Sequence, residues 1–191
     1  MYSKKVAALS FSLIGFFSTL TFAAEELMID FQYQGTHNTD LSTMREAIHI
    51  GPFTDGRDVD DKRLITNADI GAGDVGGYLA EAPLADLIQD AMLQGFQHGN
   101  AKLTDTTDGL RLEGNLLSAQ TQVVDRGGVQ SIQITLRTAV QLRNSSRTIW
   151  QTTLFGRGIA PVSDGLEAAV SAALDRSIRE LVGDDYFLME L

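Results

Sequence analysis

The segment from Ser131 to Arg143 constrains the fold more than any other part of the sequence. Its residues alternate between two faces, which is the two-residue period of a β-strand with one buried side. One face carries Ile132, Ile134, Leu136, Thr138, Val140 and Leu142, and the other carries Ser131, Gln133, Thr135, Arg137, Ala139, Gln141 and Arg143. A polar face this regular is typical of a sheet side that meets water or a polar partner. The chain is therefore expected to build a sheet with one open face.

Shorter patterns place further strands around this one. Alternation over residues 110–116 predicts a preceding strand, and Asp125–Gly128 marks a turn into the Ser131–Arg143 strand. Asn144–Ser146 reverses the chain into a third strand over Thr148–Arg157, which contains Trp150, Leu154 and Phe155. Two earlier strands are predicted at Leu27–Tyr33 and Glu46–Phe53.

Two amphipathic helices complete the predicted architecture. Residues 82–96 carry an apolar stripe at three- and four-residue steps, with Pro83 in the first turn. The second helix is predicted from Asp164 to Gly183, with Asp164 and Glu167 forming a capping box. One stripe on each helix and one apolar sheet face favour an α+β two-layer sandwich. We expect a mainly antiparallel sheet of about five strands, with both helices packed on one face.

The polar, glycine-rich region from Thr54 to Tyr78 has no strand or helix pattern and is predicted to be a long loop. A loop of this length in a compact domain is either functional or mobile. Residues 25–191 are otherwise expected to form a single domain, large enough to bury a core.

The first 24 residues have the pattern of an export signal. Lys4 and Lys5 precede an apolar run from Val6 to Phe22, and Ala23–Ala24 offers small residues to a signal peptidase. An uncleaved membrane anchor is the alternative. We expect export to the periplasm and release as a soluble protein, because no cysteine stands at the cleavage point to carry lipid. No later segment has the ~18 consecutive apolar residues that a transmembrane helix needs.

Charge and cysteine content exclude several classes of function. The chain has a net charge of −10, and since Lys4 and Lys5 are the only charges before residue 25, residues 25–191 carry −12. Such a surface repels nucleic acid and anionic lipid headgroups. The chain has no cysteine, which excludes disulfides and thiol catalysis.

Several candidate catalytic or cofactor motifs fail in their context. Gly71–Gly76 matches the dinucleotide-binding fingerprint, but no strand leads into it and no helix opens directly after it. His37, His49 and His98 are spread over three segments, which argues against a catalytic zinc. No Gly-x-Ser-x-Gly elbow is present. Two carboxylates suited to glycoside cleavage are not excluded by sequence. We predict no cofactor and no enzymatic activity.

Five aspartates crowd the predicted loop, at positions 55, 58, 60, 61 and 69. Clustered carboxylates suit a hard cation such as Ca²⁺, but the spacing departs from the calcium-binding hand, because Lys62 takes a ligand position and Arg63 stands where glycine is required. A solvated acidic loop is the default interpretation. A small-ligand or divalent-metal site in residues 54–78 is the alternative.

Large apolar side chains near the C-terminus also have two interpretations. Trp150 either fills space between sheet and helix or anchors an interface. Tyr186, Phe187, Leu188 and Met189 either cover an open edge of the core or dock into another protein.

Distributed features resemble the YajG-like family of small bacterial envelope proteins. They are the turn at residues 53–57, the helix sequence at 83–91, the strand at 112–116 and the alanine-rich helix from Leu166. The layout is also similar to the lipopolysaccharide-assembly lipoprotein and the N-terminal module of TolB. Members of these groups are usually lipid-anchored, and this chain lacks the lipid-bearing cysteine. The resemblance implies a non-catalytic accessory role at the envelope.

The sequence thus predicts a periplasmic, non-enzymatic binding or assembly module. Its partners are expected to be other envelope proteins or a second copy of the chain. The contact surfaces are expected to be the polar sheet face, the acidic loop and the C-terminal tail, because a one-sided sheet leaves edges for strand addition. The residues predicted to touch a partner are Arg137, Gln141, Arg143, Trp150, Tyr186, Phe187 and Leu188.

Overall fold

The computed structural model describes residues 23–37, 39–71 and 76–191. Almost all of the predicted export signal lies outside the described residues, so its cleavage stays a prediction. The elements in chain order are β1 (Glu25–Leu27), β2 (Ile48–Asp55), β3 (Leu64–Thr66), β4 (Tyr78–Ala80), α1 (Leu84–His98), β5 (Leu110–Arg126), β6 (Val129–Arg143), β7 (Thr148–Pro161), α2 (Gly165–Val182) and α3 (Asp185–Glu190). A 3₁₀ turn over Val162–Asp164 leads into α2. The α+β class is confirmed.

The main sheet has four strands in the order β2-β5-β6-β7. β5, β6 and β7 form the predicted antiparallel meander, with Arg137 opposite Phe155 and Thr135 opposite Arg157. β2 runs parallel to β5, with Ile48 opposite Leu110. Because α1 lies between these two strands in the chain, they form a crossover unit that the local patterns could not reveal.

A second sheet of three short strands, in the order β1-β4-β3, lies beside the first turn of α1. The expectation of one sheet of about five strands was therefore wrong in detail. Part of the reason lies in Leu27–Tyr33, where only residues 25–27 form a strand. Side chains from residue 27 to residue 33 still alternate between buried and exposed, but side chains of Gln94 and Glu81 bind this backbone instead of a strand.

Both long helices pack on the apolar face of the main sheet, as predicted. α1 packs on β2 and β5, and α2 packs on β6 and β7. The approach of α2 to β7 is very close, since a Cβ at Gly158 would overlap the carbonyl oxygen of Ala169. The two helices meet at Gly95, where a Cβ would overlap the side chain of Ile178. Glycines at these positions let the backbones approach each other.

The predicted capping box of α2 does not form. Asp164 occupies the N-cap position, but its carboxylate accepts a hydrogen bond from Ser163 Oγ (3.1 Å) and none from the helix amides. Gly165, the first residue of α2, has a φ of +83°, a backbone conformation that turns the chain from the 3₁₀ turn into the helix.

The C-terminal residues form the short helix α3 and not an extended tail. The carboxylate of Asp184 accepts a hydrogen bond from the amide of Phe187 (2.9 Å) and caps the helix. Phe187 is fully buried, with its ring centroid 4.8 Å from that of Trp150 and 6.1 Å from that of Phe96. This segment therefore covers an edge of the core, which is one of the two interpretations that the sequence allowed.

Candidate functional site

The face of the main sheet turned away from α1 and α2 is its open face. β6 sends the side chains of Gln133, Thr135, Arg137, Gln141 and Arg143 to it, as the alternation predicted. The register adds Arg111, Glu113 and Asn115 from β5, and Gln151, Thr153, Phe155 and Arg157 from β7. No helix or strand among the described residues covers this face.

Two depressions lie on the open face. The larger, the proximal groove, has a volume of about 730 Å³ and lies where β2, β5, β6 and β7 run side by side. Its lining consists of Pro52, Thr54, Glu113, Gly114, Asn115, Ala139, Val140, Gln141, Gln151, Thr152 and Thr153. The smaller, the distal groove, has a volume of about 350 Å³ and crosses the sheet beyond the end of β2. It is lined by Gln120, Thr121, Gln122, Gln133, Thr135, Arg137, Phe155 and Arg157.

Glu113 organises the polar groups beside the proximal groove. Its carboxylate accepts a hydrogen bond from Gln141 Nε2 at 3.1 Å and lies 3.6 Å from Arg111 Nε and 3.9 Å from Arg143 Nη1. Gln141 Oε1 in turn accepts from Thr148 Oγ1 at 3.2 Å. These side chains are partly exposed, so the pairs contribute little stability. They do fix the directions of the donors and acceptors at the edge of the groove.

Arg137 and Arg157 are the charged groups of the distal groove. The guanidinium carbon of Arg137 lies 5.5 Å from the centroid of the Phe155 ring, a cation–π contact. Within residues 23–37, 39–71 and 76–191, neither arginine has a carboxylate within 4.0 Å. The open face therefore carries unpaired positive charge in a domain whose net charge is strongly negative.

The seven residues predicted to touch a partner fall into three places. Arg137, Gln141 and Arg143 lie together on the open face. Trp150 lies opposite Leu142 on the covered face, half-buried against Phe187. Phe187 is in the core, so it is not part of any contact surface in this conformation. Tyr186 is exposed, and Leu188 is half-buried and packed against the edge of the core.

Sequence reasoning missed Arg157, Arg111 and Glu113 as members of the open face. Arg111 and Glu113 lie in the strand predicted over residues 110–116, but local alternation does not connect them to Arg143 and Gln141. Arg157 lies between Gly156 and Gly158, and glycines carry no side chain that would make the alternation visible. The register of β6 with β7 is what places Arg157 beside Arg137.

The region predicted to be a long acidic loop is largely ordered around a buried ion pair. Arg57 binds the carboxylate of Asp55 at 2.6 Å, and it also donates to the carbonyl oxygens of Leu64 (2.6 Å) and Lys62 (3.0 Å). Burial alone would raise the pKa of Asp55, but the hydrogen bonds and charge of Arg57 outweigh it and hold that pKa below 3.8. The pair thus ties the end of β2 to β3.

Two of the remaining aspartates of this region are also held locally. Asp61 binds Arg63 at 2.9 Å, and its pKa lies below 3.8 because of these hydrogen bonds. Asp69 accepts a hydrogen bond from the amide of Gly71 at 2.8 Å. In the part of the chain that the structure describes, no three histidine or acidic side chains converge as metal ligands. Residues 72–75 of the Gly71–Gly76 motif lie outside the described residues.

Two of the three histidines form a cluster on the far side of the helix layer. His37 and His98 lie with ring centroids 5.8 Å apart, and Tyr33 stacks on His37 at 5.3 Å. Burial lowers the pKa of His37 from 6.5, and His98 lowers it further, against the opposing effects of the Gly95 carbonyl and Asp175. His49 lies apart on β2, with Nδ1 3.1 Å from the carbonyl oxygen of Thr104.

No helix among the described residues has the length and apolar character needed to cross a bilayer. No protein-family model matches the sequence, and no curated protein matches it.

Three solved structures match part or most of this chain. Protein XCC0632 from Xanthomonas campestris, assigned to the family DUF330, is 17% identical, with 87% of this chain and 97% of that chain covered and a TM-score of 0.59. A minor lipoprotein from Acinetobacter baumannii is 11% identical, covers 51% of this chain and 81% of its own, and has a TM-score of 0.40. The hypothetical protein CT253 from Chlamydia trachomatis is 10% identical, with 76% and 98% covered and a TM-score of 0.46.

XCC0632 shows that this fold is shared with a protein of very different sequence. At 17% identity the likeness concerns the fold alone. None of these matches identifies the YajG-like family, and membership in it stays a prediction.

Proposed function

We propose that this protein is a non-enzymatic accessory module of the bacterial cell envelope, and that it binds other envelope proteins in the periplasm through its open sheet face. The observation that carries the proposal is the open face itself. An antiparallel sheet with one solvated side is ordinary. Here the solvated side also contains a depression of about 730 Å³. It carries unpaired arginines in a domain whose net charge is negative. Both features favour the binding of a partner molecule at this face.

The groups on the open face are those that bind by hydrogen bonds and charge. Carboxamides of Asn115, Gln141 and Gln151 line the proximal groove together with threonine hydroxyls. Such groups can donate to and accept from the peptide groups of a partner. A polar interface of this kind is typical of associations that form and dissociate, in contrast to the apolar contacts of permanent dimers.

The N-terminal sequence supports the location. Lys4 and Lys5, the apolar run to Phe22 and the small residues Ala23 and Ala24 have the order of an export signal. The mature chain would then meet its partners in the periplasm, without a lipid-bearing cysteine.

Site-specific photo-crosslinking in cells of the source bacterium tests the proposal. A photoreactive amino acid at Thr153, in the lining of the proximal groove, should give discrete ultraviolet-dependent adducts with envelope proteins. The same residue at Gln97, which is exposed on α1, is the matched control and should give none. Fractionation of these cells should recover the protein in the periplasm, with its mass reduced by that of residues 1–24.

Two results would contradict the proposal. Adducts at Gln97 and Thr153 in equal amounts would mean that the open face has no special role. Recovery of the intact chain in the cytoplasm would remove the envelope location, whatever the crosslinks show.

A further inference from the structure

The distal groove differs from the proximal groove in its charge. Both charged side chains in its lining are arginines, and the remaining polar side chains that the register places on the open face are the carboxamides of Gln120, Gln122 and Gln133 and the hydroxyl of Thr135. Arg143 and Arg111, by contrast, lie near the carboxylate of Glu113. The distal groove is therefore where the open face carries two arginines that form no ion pair within the described parts of the chain. The carboxylate of Glu180 reaches the same strand, but there it accepts a hydrogen bond from the amide of Phe155 at 3.1 Å.

The two arginines stand at a defined separation. Arg137 lies opposite Phe155 in the ladder between β6 and β7, and Arg157 lies opposite Thr135, so the two are diagonal neighbours on one face. The Cα atoms of diagonal neighbours in an antiparallel pair lie roughly 7 Å apart. Like charges on neighbouring side chains repel each other, and an anion that both can reach relieves the repulsion.

Arg137 is also held in position before any ligand arrives. Its guanidinium packs on the ring of Phe155, with the carbon 5.5 Å from the ring centroid. A guanidinium that lies on an aromatic ring keeps its hydrogen-bond donors at the edge of the plane, where they can bind a carboxylate in bidentate geometry.

We propose that the distal groove binds an extended acidic segment of a partner protein, with two carboxylates at alternate positions pairing with Arg137 and Arg157. This inference rests on the proposed function of the open face. Alternate side chains of an extended segment point the same way and are about 6.6 Å apart. This spacing matches that of the two arginines, so the preferred sequence has the form Glu-x-Glu or Asp-x-Asp.

The surroundings of the groove favour a peptide over a lipid or a free phosphate. The three carboxamides beside the arginines can pair with main-chain N–H and C=O groups, which neither of the other ligands offers. Among the described residues, β5 has no paired strand on its other side beyond Leu116, where its register with β2 ends, although β3 lies beside part of it. The rest of this edge toward Arg126 leaves room for an extended segment to pair with the backbone as it leaves the groove.

Titration of the purified, ¹⁵N-labelled protein with short peptides tests the proposal. The probe is an octapeptide with blocked ends, in which glycine, serine and threonine surround a central Glu-Thr-Glu, so the two glutamates carry its only charges. It should shift the Nε–Hε signals of Arg137 and Arg157 and the amide signals around Gln120–Gln122, and binding should weaken as salt is raised. The same peptide with Gln-Thr-Gln should bind about tenfold more weakly or not at all.

Variants of the protein complete the design. Arg137→Gln and Arg157→Gln should each raise the Kd of the Glu-Thr-Glu peptide about tenfold. Arg176→Gln is the matched control, because Arg176 is an exposed arginine on α2 with no carboxylate within 4.0 Å among the described residues, and it should leave the Kd unchanged. Thermal unfolding of each variant at the wild-type temperature establishes that the fold is retained.

Three outcomes would overturn the proposal. They are equal binding of the glutamine peptide, undiminished binding to both arginine variants, and equal or stronger shifts at the groove from inorganic phosphate or from vesicles containing phosphatidylglycerol. Failure of this inference is separable from failure of the proposed function. Crosslinked partners at Thr153 without peptide binding would refute only the acidic segment, whereas peptide binding without any crosslinked partner would refute only the envelope-binding role.

Discussion

The two faces of the main sheet are formed by the same strands, but one face is packed with apolar side chains and the other carries polar side chains. On the covered face, residues of β6 such as Ile134 and Leu136 are almost fully buried, and Gly156 and Gly158 of β7 touch the backbone of α2. On the open face, alternate residues of the same strands are arginines, glutamines and threonines with groove volume above them. Stability therefore comes from one face, and the other is free to carry a binding surface.

This separation means that substitutions on the two faces should have very different effects. A change on the covered side leaves a cavity or an overlap inside a close-packed core. A change on the open side removes a group that water already contacts.

The largest effect is expected from Phe187→Ala at the edge of the covered side. Phe187 is fully buried between Trp150 and Phe96, so the substitution leaves a large cavity and should lower the free energy of unfolding by about 4 kcal/mol. Tyr186→Ala is the control, because Tyr186 is 77% exposed and should change it by less than about 0.5 kcal/mol. Urea unfolding measures both. Equal small effects would mean that α3 is detached from the core in solution.

A somewhat smaller loss is expected from Gly158→Ala in β7. The new methyl group would overlap the backbone of α2 at Ala169, so the helix must shift and the free energy of unfolding should fall by about 3 kcal/mol. Arg157→Ala, at the neighbouring position on the open face, should change it by about 0.5 kcal/mol or less. An unchanged free energy of unfolding for Gly158→Ala would show that the backbones of α2 and β7 are not in contact at this position.

Features that depend on local periodicity could be predicted from the sequence. The alternation in Ser131–Arg143 predicted which side chains of β6 face the core, and the stripes of the two helices predicted which sides pack on the sheet. The boundaries of α1 were predicted within two residues, 82–96 against Leu84–His98. These features depend only on which side chains are buried, and buried positions recur in the sequence with the period of the helix or strand.

Features that depend on contacts between distant segments could not be predicted in this way. The parallel pairing of β2 with β5 and the small sheet β1-β4-β3 join segments whose own sequences carry no record of the partner. The order in the supposed long loop depends on Arg57, whose carbonyl partners at Leu64 and Lys62 are set by the folded backbone. The polar composition of this segment predicted a loop. Its structure instead depends on the hydrogen bonds of one buried arginine, which composition does not reveal.

The residues of the candidate site also fall into those that local alternation predicted and those that it could not predict. Arg137, Gln141 and Arg143 were found because they lie on one strand with a clear alternation. The grooves are formed by four strands together, and the pairing of Arg137 with Arg157 depends on a register between two of them. Local alternation in a sequence can therefore predict that a sheet face is open. The arrangement of binding groups on that face also depends on the register between neighbouring strands.

The smallest expected effect concerns the histidine cluster on the far side of the helix layer. Burial holds the pKa of His37 below 6.5, the value in the unfolded chain. The stability associated with the neutral imidazole of His37 is therefore fully present above pH 6.5. Below it the unfolded chain takes up a proton that the folded protein resists, so the free energy of unfolding should fall between about pH 7.5 and about pH 5.5. The carboxylates with lowered pKa values, Asp40, Asp55 and Asp61, titrate below this window.

Urea unfolding of His37→Gln at about pH 7.5 and about pH 5.5 measures this contribution, and the variant should lose less stability on acidification than the wild type. Thr36→Ala is the matched control. It removes the hydrogen bond from Thr36 Oγ1 to Asp175 (2.7 Å) in the same segment without removing a titrating group. It should therefore lower stability equally at both pH values. If His37→Gln kept the full pH dependence of the wild type, the acid sensitivity would have to arise outside this cluster, and the segment from Tyr33 to His37 would be held by its hydrogen bonds alone.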